Sequence, residues 1–219
     1  MKISNIIVPT LLLASMVTFS ACGTDEDSVG VATSSYIYSV SVTNLTAGQP
    51  MSPILLTSNS LFTVGETASL GLEKLAEGGD NSDLVDSNGV SGSGLLTPGS
   101  SEILTLTTSS TSLSIATMLV KTNDAFAGVN AYDVSGLAVN ANTTFYLNVY
   151  DAGTEANSET NTTVAAFGVE GFSTMRDDSD KISIHPGVIS NEDGLSTSAL
   201  TAFEKFNNPV VAVTITRTK

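Results

Sequence analysis

The sequence predicts an all-β fold, an antiparallel β-sandwich with one short helix, on three observations. Segments near both ends of the chain alternate apolar and polar residues with a period of two. The connections between apolar segments are rich in Ser, Gly and Asn, and only one segment has helical spacing. With 219 residues, of which 14% are charged, the chain is long enough for one sizeable core and too apolar to be disordered as a whole.

The first strand begins at Tyr36, where Tyr38, Val40 and Val42 share one face and Ser39, Ser41 and Thr43 the other. Further strands are predicted around residues 54–57, 103–107, 113–120 and 145–150, all rich in Thr, Val, Ile or Tyr. The last covers 210–217: Val211, Val213 and Ile215 alternate with Ala212, Thr214 and Thr216, and Pro209 marks the entry. The helix is expected over about 65–77, within VGETASLGLEKLAEGG. There Val64, Ala68, Leu72, Leu75 and Ala76 fall at spacings of three and four, Glu66 sits near the positive end, and Gly78-Gly79 supplies a C-cap. It is expected to close one edge or end of the sheets. The chain has no internal repeat of solenoid length.

Residues 1–21 read as a lipoprotein signal peptide. Lys2 precedes an apolar run from Ile6 to Phe19, and Ser20 and Ala21 stand before Cys22, the only cysteine. The ending Phe-Ser-Ala-Cys resembles a bacterial lipobox, which makes Cys22 the lipidated first residue of the mature chain. Residues 22–34, with Asp25-Glu26-Asp27, read as an acidic tether, and 35–219 as the β-sandwich domain. Acidic runs of this kind resemble surface-export signals in some bacteria and equally a solvated linker. Beyond the leader no apolar run is long enough to span a bilayer. The expected membrane link is therefore the lipid on Cys22, and the expected location is the bacterial cell envelope, as an outer-membrane lipoprotein that can be surface-exposed.

A formal charge of −14 disfavours a nucleic-acid partner, which would be repelled at long range, and attracts divalent cations. Motifs for catalysis are scarce. One histidine, His185, precedes a Pro-Gly turn, and there is no GxSxG, no HExxH and no phosphate-binding glycine loop. Zinc would want clustered Cys and His ligands, of which the chain has one each.

Oxygen ligands are abundant, as calcium requires. In YDAGTEAN, Asp151 and Glu155 flank Gly153, so a loop turning back would aim both carboxylates at one point; a solvated acidic turn has the same spacing. Asn123-Asp124 follows the apolar segment LSIATMLV in the same way. If the strands at 113–120 and 145–150 run parallel in space, Asp124, Asp151 and Glu155 converge at one rim of the sandwich. Asp177-Asp178-Ser179-Asp180 and Glu192-Asp193 lack that strand-end context and read as solvated loops.

Several segments form a further pattern in order: Ser52-Pro53-Ile54, FTVGETAS (62–69), LAEGG (75–79), TNDAFAG (122–128), YDAGTE (150–155) and His185-Pro186-Gly187. Together they resemble the spondin N-terminal domain family, the module of F-spondin and mindin and of many bacterial exported proteins, over about residues 36–217. The resemblance implies a β-sandwich similar to a C2 domain with a bound calcium ion, Ca2+. It carries ligand roles onto Asp124, Asp151 and Glu155, the last being Asp in the animal members. A histidine associated with bacterial members is absent, Thr57-Ser58-Asn59-Ser60 standing there. Animal members act in adhesion, usually beside thrombospondin-type repeats, which this chain lacks.

The expected function is thus an exported, lipid-anchored, calcium-binding adhesion or binding module of the envelope, without catalysis. A protein or glycan would be its ligand, and the oligomeric state is not readable. A metal-dependent envelope hydrolase using paired carboxylates, or a purely structural envelope protein, are the alternatives.

Overall fold

The computed structural model describes residues 35–168 and 171–219. The expected signal peptide, the tether and Cys22 lie outside the described residues. Among the described residues the strands are β1 (Tyr36–Asn44), β2 (Leu55–Thr57), β3 (Gly89–Ser91), β4 (Ser101–Thr108), β5 (Ser112–Met118), β6 (Ala125–Asp133), β7 (Asn142–Asp151), β8 (Ser183–Ile184) and β9 (Val211–Arg217). Among the described residues one α-helix, α1, covers Leu70–Gly78. All the strand pairings are antiparallel, in the order β3-β2-β5-β6-β7-β9-β1-β4, with β8 added to β7. The chain is all-β, a nearly closed, sandwich-like sheet.

The alternation in β1 and β9 becomes one buried face because their register aligns Val42 with Val213 and Val40 with Ile215. Tyr38, Val40, Val42, Val213 and Ile215 are fully buried and meet Ile54, Leu113, Ile115 and Val149 from the other half. Removing each such aliphatic side chain from water contributes about 1.5–3 kcal/mol. Strand β7 joins the halves: residues 142–147 pair with β9 and 148–151 with β6.

Strand β6 is not among the strands expected from the sequence. Its Ala125–Gly128 part is buried throughout and so lacks the period-two pattern. The cause is a second apolar layer, in which Leu72, Leu75 and Ala76 of α1 pack with Leu55, Ala116 and Phe126. Helix α1 therefore covers a face of the sheet instead of closing an edge or end.

The helix also starts later than its periodicity predicts. Ser69 is the N-cap, its side chain accepting from the Leu72 N–H at 3.2 Å, and Gly79 in the left-handed region ends the helix, its N–H donating to Leu75 O at 3.0 Å. Residues 64–66 are held outside it by tertiary bonds. Gly65 N–H donates to Ile182 O at 2.8 Å and Ile182 N–H to Glu66 O at 2.9 Å. Glu66 thus precedes the helix, and Glu73 is the acid in its first turn.

Candidate metal centre

Asp124 stands one residue before β6 and Asp151 ends β7. Their strands are antiparallel neighbours with Ala125 opposite Asp151. The start of one strand and the end of the next therefore bring the two acids together. Strands β5 and β7, each antiparallel to the β6 between them, run parallel in space, as expected from the sequence.

The DAGTE loop folds back over Asp124. Asp124 Oδ2 accepts from Thr154 N–H at 2.8 Å, from the Thr154 hydroxyl at 3.1 Å and from Glu155 N–H at 3.1 Å, while Asp124 O accepts from Ala152 N–H at 3.2 Å. The turn depends on Gly153 at φ +72°, where a Cβ would stand 2.4 Å from Lys181 O and 2.6 Å from Lys181 N. Glycine serves both needs here, the left-handed backbone and the close approach of residue 181.

Asp151 is 4% exposed and held at both oxygens. Oδ1 accepts from Gly153 N–H at 2.7 Å and Oδ2 from the Asn157 amide at 2.6 Å. Asn157 Oδ1 lies 3.2 Å from His185 Nε2, and His185 Nδ1 accepts from Gly187 N–H at 3.0 Å. With Nδ1 accepting, the ring proton sits on Nε2 and donates to Asn157. Burial holds the His185 pKa below its usual value, against the opposing pull of the Asp151 charge. His185, 3% exposed, is therefore a neutral link in a chain that ends on Asp151.

Asp124 is fully buried, and its Oδ1 has no hydrogen-bond partner among the described residues. Burial, then the neighbouring Asp151 charge, raise its pKa to about 7, against the lowering by the bonds from Glu155 and Thr154. A cation beside Oδ1 would reverse both unfavourable effects, and an all-oxygen set containing two carboxylates suits a hard ion. These residues fit calcium on that ground. Among the described residues, no group of three or more His, Cys, Asp or Glu side chains is gathered so as to hold a metal ion. Asp124 and Asp151 come together. The part of Glu155 seen on Asp124 is its N–H, and the Glu155 side chain, 7% exposed, lines an adjoining cleft of about 320 Å³ with Asn123, Ser158 and Ser173.

Sequence reasoning missed Thr154 and Asn157, which lie inside the stretch it singled out, and gave His185 no role. Their signal was weak, since an amide or hydroxyl beside acids is ordinary in a turn. The acidic groups at 177–180 and 192–193 are exposed, as expected, but several are structured. Asp177 Oδ1 accepts from Ala156 N–H at 2.8 Å, Asp180 pairs with Arg176, and Asp193 bonds Lys205 at 2.8 Å.

Comparison of the chain with models of protein families gives no match, and comparison with curated proteins gives none.

Proposed function

We propose that the chain is an exported, lipid-anchored, non-catalytic binding or adhesion module of the bacterial envelope whose Asp124–Asp151 site takes calcium. The observation that carries the calcium reading is the bare, buried Asp124 Oδ1 beside a second carboxylate. Bound there, the ion would neutralise the two acids and tie the start of β6 to the loop after β7. Asp124 and Asp151 would hold it, with Glu155 the further ligand drawn from the resemblance. The outer-membrane location and the lipid on Cys22 rest on the leader sequence. The non-catalytic reading is supported by His185, whose two ring nitrogens are both engaged within the protein.

Thermal melting in EDTA and in excess calcium tests the site. A ligand that binds only the folded state at about 1,000 times its Kd adds roughly 4 kcal/mol. Calcium is expected to raise the midpoint by several degrees. Equal midpoints at saturating calcium would refute the site.

A further inference from the structure

The outward face of β4, β1, β9 and β7 is uncharged. Every second residue from Ser101 to Thr107, Ile37 to Thr43, Ala212 to Thr216 and Asn142 to Asn148 points away from the core, none of them is Asp, Glu, Lys, Arg or His, and most are serine or threonine. On a chain of formal charge −14 that is a distinct surface.

The pairings set these side chains in rows. Ile103, Ser41, Thr214 and Thr144 lie in one row across the four strands, and Ser101, Thr43, Ala212 and Tyr146 in the next. Neighbours within a row are about 4.8 Å apart, and rows about 6.8 Å. Thr43 Oγ1 and Ser101 Oγ are 2.7 Å apart, and Thr144 Oγ1 and Thr214 Oγ1 are 2.8 Å apart. Each such pair shares one proton and leaves the other proton and free lone pairs for a ligand. Tyr146, 60% exposed, stands beside Ala212, the smallest side chain of the face.

We propose that this face binds a neutral polysaccharide. Sugar hydroxyls donate and accept as the Ser and Thr hydroxyls do, and the exposed Tyr146 ring offers an apolar platform for the C–H face of a sugar ring. An anionic polymer would be repelled by the chain's net charge, and a basic one would meet no carboxylate on the face. Protein interfaces are enriched in aromatics, Met and Arg, whereas the outward residues of this face include one aromatic, Tyr146, and no Met or Arg. The surface shares no residue with the Asp124 site and does not depend on the calcium reading.

Native gels containing amylose, galactomannan or a mixed-linkage β-glucan, with polygalacturonate as the anionic control, test the proposal on the full chain. At least one neutral polymer is expected to retard the protein and polygalacturonate is not. Tyr146→Ala and Thr144→Ala change no charge, and each is expected to weaken the retardation about tenfold, the loss of about one hydrogen bond or stacking contact. Both should melt like the wild type, because both positions are exposed. No retardation by any neutral polymer, retardation by polygalacturonate alone, or full retardation of both variants overturns the proposal. Calcium titration of the same protein has an independent outcome.

Discussion

Asp124 and Thr154 are joined twice, the Thr154 N–H and hydroxyl both donating to Asp124 Oδ2, at 2.8 and 3.1 Å. All the donors therefore reach one oxygen, and the other stays bare and buried. A hydrogen-bond pattern so one-sided makes the role of Asp124 separable by experiment.

Asp124→Asn keeps the shape and removes the charge. Without calcium it should melt at or above the wild-type temperature, because it relieves a buried charge beside Asp151. With saturating calcium the order should reverse. A variant that melts below wild type in EDTA and gains as much from calcium contradicts the assignment.

His185→Ala and Asn157→Ala each break the chain to Asp151. Partners that orient a metal ligand change affinity by about 10–100-fold, so calcium titrated into either variant should show a Kd raised by at least about tenfold. An unchanged Kd would make the chain a structural feature only.

Gly153→Ala meets both obstacles at once, a φ of +72° and the backbone of Lys181 at 2.4 Å. A loss of at least about 2 kcal/mol in urea denaturation is expected. A loss below about 0.5 kcal/mol would show that the turn relaxes freely.

Glu159 gives a pH dependence of its own, added to that of Asp124, whose pKa is raised into the same range. It is 1% exposed, its Oε1 accepts from Ile189 N–H at 3.3 Å, and burial raises its pKa from 4.5 to about 7. The folded state therefore holds the proton more tightly than the unfolded chain does. Stability from this group is full below about pH 4.5 and falls as pH rises through about 7, by up to roughly 3 kcal/mol. Glu159→Gln should remove that fall. Urea midpoints from pH 5 to 8 for the two proteins check it, and parallel curves would refute the assignment.

The sequence by itself determined the all-β class, strands β1 and β9, and the stretch around Asp151. It could do so because period-two alternation and turn chemistry are local: Val40 and Ser39 differ in polarity whatever pairs with them. The start of α1 and the existence of β6 were decided elsewhere in the chain. Residues 65 and 66 are held by Ile182, more than a hundred positions away, and Ala125–Gly128 is covered on both faces, which erases alternation. The acid pair shows the same division. Asp124 and Asp151 were visible as strand-end acids, but only the antiparallel β6–β7 pairing placed Ala125 opposite Asp151 and put the two carboxylates side by side. The link from His185 through Asn157 also belongs to the tertiary structure, since a hydrogen bond across 28 residues leaves no periodicity to read.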